Sequence, residues 1–160
     1  MPVTASETST APSPQTGGKK LSNFLCFAIY SANLAFGRAY KPIMDALGLT
    51  YTQYIAMVAL SEEDDQTVGA LGEKLFLESN TLTPILKKLE QTGYIQRKRD
   101  PADERQVRVS LTPAGRSLLE TDPAASLVDA TGLGDDFAVV QQAVARLRDN
   151  LLRATQRQKA

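Results

Sequence analysis

The chemistry open to this chain is limited by its inventory: one thiol, Cys26, and no imidazole among 160 residues. A histidine-based triad, a zinc finger and an intrachain disulfide are therefore excluded, and most enzyme classes go with them. No metal ligand set, cofactor motif or catalytic constellation is expected. Cys26 lies in LSNFLCFAIY, where Ser22 or Asn23 is placed to cap a helix. That puts the sulfur within or just past the first helical turn, where unpaired N–H groups and the helix dipole favour an anion. The same residue, between Leu25 and Phe27, also reads as a small buried hydrophobe. Tyr30, four residues on, shares its helix face.

The second chemistry is recognition. In the stretch Thr67 to Leu111, Leu82, Ile85, Leu86 and Leu89 form one apolar helical stripe, which leaves Ser79, Asn80, Thr81, Thr83, Lys87 and Lys88 to face something else. Short polar side chains at the start of a helix suit base edges, and lysines suit phosphates. Residues 87–108 hold seven basic and four acidic residues, with Arg97, Arg99 and Arg105 the candidate contacts beyond the helix. The net charge of the whole chain is zero. Duplex binding then requires the basic residues to be gathered on one side, and it should weaken steeply with salt. The bland alternative is that these are ordinary solvated faces of an interaction module.

The elements that would position these residues follow from capping and periodicity. Thr67 caps a short helix with Val68, Leu71 and Leu75 on one face, Phe76 to Ser79 make a tight connection, and the second helix stops at Gly93. Its start is ambiguous. Ser79 as cap leaves Pro84 just beyond the first turn, removing the N–H that would bond the Asn80 carbonyl; Thr83 as cap with Pro84 at the first position gives a shorter helix. Tyr94 to Arg99 and Val107 to Leu111 read as two strands, the second alternating Val107, Val109 and Leu111 with Arg108 and Ser110. A charged tip, Asp100 to Gln106, joins them. Helix, turn, helix and hairpin together predict a winged helix-turn-helix over 50–111, its tip able to put an arginine into a minor groove.

Residues 1–20 lack a core-forming pattern and read as a disordered tail. A helix follows through FLCFAIYSANLAFGRAY, with apolar residues all round its axis, so a second subunit is expected to cover it; Gly37 and Pro42 predict a bend or break and Gly48 a stop. Thr50 and Gln53 form a capping box for a helix to about Glu62, with Tyr54, Ile55, Met57 and Val58 on its apolar side, and an acidic loop spans Ser61 to Gln66. Thr112 and Pro113 open a helix through Leu119, which Asp122-Pro123 interrupts; a helical turn spans Ala124 to Asp129, and Gly132 to Gly134 form a hinge. The last helix repeats Phe137, Val140, Val144, Leu147 and Leu151 in a heptad seam that needs a partner helix. The fold expected is mainly α with a small antiparallel β-wing (α+β), one domain over 21–160, with helices in 21–47 and 112–157 forming the dimerisation part. No apolar run spans a bilayer and no leader precedes a cleavage site, so the chain reads as a cytoplasmic protein with no membrane partner.

Leu82-Thr83-Pro84-Ile85-Leu86, Leu89-Glu90, Gly93-Tyr94-Ile95, Asp103-Glu104-Arg105 and Val109-Ser110-Leu111-Thr112 resemble the MarR family of transcription regulators. LCFAIYSANLAFGRAYKP followed by ALGLTYTQY resembles its organic-hydroperoxide-sensing (OhrR-type) branch, the likeness being good over 21–121 and looser beyond. The resemblance implies a homodimeric repressor bound to a palindromic double-stranded DNA operator, with Cys26 oxidised by organic hydroperoxides and Tyr40 and Tyr51 hydrogen-bonding its sulfur. Tyr40 lies fourteen residues past Cys26, about 21 Å along a straight helix, so it meets that sulfur either across a dimer axis or by a sharp fold-back at Gly37. Many relatives carry a second cysteine near the C-terminal hinge, where this chain reads Leu127-Val128-Asp129-Ala130-Thr131-Gly132. An intersubunit disulfide is then out of reach, and a mixed disulfide with a low-molecular-weight thiol, or overoxidation, becomes the stable off state. Three rivals stand beside this reading: a regulator of the same family gated by a small phenolic ligand with Cys26 merely packed, a thiol peroxidase, and an interaction module using the C-terminal seam.

Overall fold

The computed structural model describes residues 20–121 and 125–158, so all but Lys20 of the tail expected over 1–20, and the interruption at Asp122-Pro123, lie outside the described residues. The order is α1 (Leu25–Leu47), α2 (Tyr51–Glu62), β1 (Gln66–Thr67), α3 (Val68–Leu75), α4 (Ser79–Gln91), β2 (Ile95–Arg99), β3 (Val107–Leu111), α5 (Pro113–Glu120), α6 (Ala125–Ala130) and α7 (Phe137–Arg157). A 3₁₀ turn at Leu21–Asn23 precedes α1 and another at Gly134–Asp136 precedes α7. No single described helix is long and apolar enough to cross a membrane. The chain divides into two compact units between Phe36 and Gly37, inside α1.

In the short N-terminal unit the apolar residues Leu21, Phe24, Leu25, Ile29, Tyr30, Leu34 and Phe36 are exposed. The backbone is helical through Gly37 and Pro42, so the expected bend or break is not an end to the helix. Proline forfeits one intrahelical bond without halting a helix whose next turns remain anchored; here Met44, two residues on, is buried in the core. α1 ends at Leu47, and Gly48 follows at φ +67°.

The larger unit is built around one core: Met44 and Leu49, then Tyr54, Ala56, Met57, Ala59 and Leu60 of α2, Leu71 of α3, Leu82, Leu86 and Leu89 of α4, and Ile95, Val109 and Leu111 of the strands. Each fully buried leucine contributes roughly 1.5–3 kcal/mol relative to exposure. α2 opens on the capping box: Gln53 N–H donates to Thr50 Oγ1 (3.2 Å) and Thr50 N–H to Gln53 Oε1 (2.8 Å). Its buried face is richer in alanine than the pattern of larger residues suggests, with Ile55 and Val58 only half-buried. Small residues there let the helix lie close to its neighbours.

The sheet has three strands in the order β1-β3-β2, both pairs antiparallel, with Ile95 opposite Leu111 and Arg99 opposite Val107. β1 occupies the end of what reads in sequence as an acidic loop. Two residues carry no periodicity, and Gln66 and Thr67 are a strand because they find Val109 and Arg108 across the sheet. The Thr112–Pro113 start of α5 holds, Thr112 Oγ1 accepting from Gly115 N–H at 3.1 Å. α6 lies one residue later than expected, and α7 carries no buried residue at all.

Candidate sensing and DNA-binding sites

Cys26 is the second residue of α1 and its side chain is exposed. The cap position belongs to Phe24, whose carbonyl accepts from Ala28 N–H at 3.1 Å; Ser22 and Asn23, the caps expected, are spent in the preceding 3₁₀ turn. Cys26 therefore lies in the first turn of α1, and its side chain is not buried among the described residues. Tyr30, one turn on, is 59% exposed, and its ring lies 6.4 Å from that of Phe27.

In the larger unit the two tyrosines assigned to the sulfur lie together. The rings of Tyr40 and Tyr51 are 4.6 Å apart and tilted by 45°. Tyr40 is half-buried and Tyr51 is 46% exposed. Burial, then the neighbouring Tyr51 and Tyr54, push the Tyr40 hydroxyl above the ordinary tyrosine pKa. It therefore keeps its proton and remains a donor across the whole physiological pH range.

The helix-turn-helix is set by two backbone devices. Gly72 is buried where a Cβ would stand 2.7 Å from the Leu77 carbonyl oxygen, so α3 can approach the turn only with glycine there. At the far end of α4, Gly93 takes φ +81°, with its N–H on the Glu90 carbonyl and that of Tyr94 on the Leu89 carbonyl, both at 3.0 Å; this is a Schellman ending. α4 starts at Ser79 after Glu78, which makes no side-chain cap bond, so both expected caps, Ser79 and Thr83, are displaced. Thr83 Oγ1 instead donates to the Ser79 carbonyl (2.7 Å) in the turn that Pro84 leaves one bond short. Leu82, Leu86 and Leu89 point into the core, while Ser79, Asn80, Thr81, Lys87 and Lys88 are exposed and Thr83 is half-buried.

The wing arginines divide into two kinds. Arg105 is 91% exposed, and Asp103 steadies it at 3.1 Å; the same carboxylate accepts from the Arg105 N–H (3.2 Å) and Gln106 Nε2 (3.2 Å). Arg99 is exposed and donates to the Glu104 carbonyl at 3.1 Å. Arg97 is tied to Glu90 at the end of α4 through Nε (2.9 Å) and Nη2 (2.6 Å), and this pairing holds the Glu90 carboxyl below its ordinary pKa. Its guanidinium is engaged within the protein. The sequence pattern did not single out Arg108, which bridges Asp65 (3.1 Å) and Asp100 (3.2 Å), nor Asp64, which accepts from Leu111 N–H (2.9 Å) and pairs with Arg116. These bonds fasten the α2–β1 corner to the wing. The paired aspartates before Gln66 were the available signal, visible only once β1 is known to lie beside β3.

Comparison with known proteins bears on both regions. A profile of the family described as transcriptional regulator SarA/Rot matches residues 38–121. The chain is 42% identical over 135 residues, 82% of its length and 92% of the relative's, to the organic hydroperoxide resistance transcriptional regulator of Bacillus subtilis (strain 168). It resembles the reduced form of AbfR bound to DNA (34% identity, TM-score 0.69) and the overoxidized form bound to DNA (34%, 0.68), each over 82% of this chain and 94% of that one; AbfR is from Staphylococcus epidermidis.

Proposed function

This chain belongs to the SarA/Rot-type regulators of the MarR family, and from that premise we propose that it is a homodimeric repressor which releases a palindromic operator when an organic hydroperoxide oxidises Cys26. That it is a DNA-binding transcriptional regulator follows from the family. The observation that carries the sensing is the exposed thiol in the first turn of α1, in a chain so similar to a hydroperoxide-resistance regulator. AbfR, solved reduced, as a disulfide and overoxidized, supports oxidation of a cysteine; its overoxidized form is bound to DNA, so the support is for the redox chemistry and not for release by overoxidation.

In this reading residues 21–47 and 112–157 supply the dimer helices and 50–111 the reader. Two copies of α4 about 34 Å apart enter successive major-groove faces, Ser79, Asn80, Thr81 and Thr83 meeting base edges and Lys87 and Lys88 phosphates. Arg105 enters the minor groove and Arg99 the adjoining backbone; Arg97 aims the wing through Glu90 rather than touching DNA.

The Cys26 thiolate attacks the terminal oxygen of ROOH, the O–O bond breaks, and the leaving alkoxide takes a proton to give ROH and Cys26 sulfenic acid. Tyr40 and Tyr51 of the partner subunit donate to the thiolate before reaction, with Tyr30 nearby, and the larger polar sulfenic acid no longer fits them. A low-molecular-weight thiol then condenses with it, losing water, to give a mixed disulfide; a second hydroperoxide gives the sulfinic acid. The sensor reacts once per subunit, in the cytoplasm, without turnover. A duplex selected on the wild-type protein from a randomised pool, titrated with and without cumene hydroperoxide, tests this. Release by peroxide must vanish in Cys26→Ser while its untreated affinity stays; release that survives the substitution returns the trigger to a bound small molecule.

A further inference from the structure

Phe76 is out of place by ordinary rules. It closes α3 in the left-handed region (φ +57°, ψ +36°), where glycine or asparagine is the usual choice and a bulky residue is strained. The turn holds it there: its N–H bonds the Glu73 and Gly72 carbonyls, and Leu77 N–H bonds the Gly72 carbonyl at 2.9 Å. Its ring gains nothing from the core, being 56% exposed. What lies over it is Arg148 of α7, whose guanidinium carbon is 4.6 Å from the ring centroid. Asp149 orients that guanidinium, accepting from Arg148 Nε at 2.8 Å.

A planar cation over an aromatic face is a favourable and directional contact. It joins the connection between α3 and α4 to a helix that buries no residue of its own. We propose that Arg148 is a positioning residue for duplex binding: it holds the helix-turn-helix connection through the face of Phe76, so that the seat of α7 sets the seat of α4. This rests on the reading that α4 enters the duplex, and it adds the route by which the terminal helix governs that entry. The ring of the strained phenylalanine is the handle.

The test is a double-mutant cycle on the full chain, with the pool-selected duplex at fixed salt and melting temperature measured alongside. Arg148→Ala and Phe76→Leu each weaken binding about threefold, the size of an exposed cation–aromatic pair, and the double variant weakens it no further. Arg148→Lys, which keeps a cation over the ring, stays within about twofold of wild type. Phe76→Gly, which relieves the backbone, melts at or above wild type yet loses the same threefold, a split that a purely structural role would not produce. Unchanged binding by Arg148→Ala, or losses that multiply in the double variant, overturn the coupling. Wild-type protein that binds no duplex overturns the DNA reading and the coupling with it.

Discussion

Residues 50–111 and α7 are built by opposite rules. The first region holds its leucines inside: Leu60, Leu71, Leu82, Leu86 and Leu89 are wholly shielded from water. The second has an equally regular apolar repeat, yet Val140, Val144 and Leu151 stand exposed and Phe137 and Leu147 are only half-covered. A 21-residue helix with no buried side chain is poorly stabilised by its own chain. One region is finished within the chain and the other is unfinished, which fits the proposal that α7 packs against a second subunit.

The contrast is sharpest under substitution in the core. Leu86→Ala should lower stability by about 2–5 kcal/mol, read as a fall in melting temperature and denaturant midpoint. Val144→Asp in the α7 seam should change the folding of the reader by less than about 0.5 kcal/mol while converting a dimer to monomer in sedimentation. A fall in melting temperature as large as that of Leu86→Ala would break the comparison. Lys87→Ala should leave folding intact and reduce the dependence of log affinity on log salt by about 0.9 for each phosphate it no longer neutralises.

The smallest effect is that of Arg97→Ala. Because Arg97 holds the Glu90 carboxyl below its ordinary pKa, their pairing stabilises the fold above the pKa of an unfolded glutamate and is lost as pH falls through the lowered value. Wild type and variant should therefore differ in melting temperature at pH 7 and converge as the pH falls below the ordinary glutamate range and through the lowered Glu90 value. A difference that persists in acid would make Arg97 a packing residue rather than a charge partner.

Much of the reader was legible residue by residue. The Thr50–Gln53 box, the Thr67 cap, the leucine stripe of α4, the stop at Gly93 and the alternation in β3 are local instructions, each satisfied within a few residues of where it is written. What local pattern missed has a physical cause. β1 exists because of Val109 and Arg108, more than forty residues away, and the pairing of Arg97 with Glu90 joins two different elements. Pro42 and Gly37 signal a break that α1 ignores because Met44 anchors the turn beyond them.

Sequence alone settled which chemistry was available: a single thiol, no imidazole, tyrosines in fixed order, a polar helix face and a charged hairpin, all consequences of side-chain type and short-range periodicity. Tertiary structure decided how those groups are used. It laid Tyr40 on Tyr51, tied Arg97 to Glu90 while leaving Arg105 in solvent, and set Arg148 over Phe76. Such pairings are made between separate elements, from seven residues apart for Arg97 and Glu90 to seventy-two for Arg148 and Phe76, and short-range periodicity does not record which elements will meet.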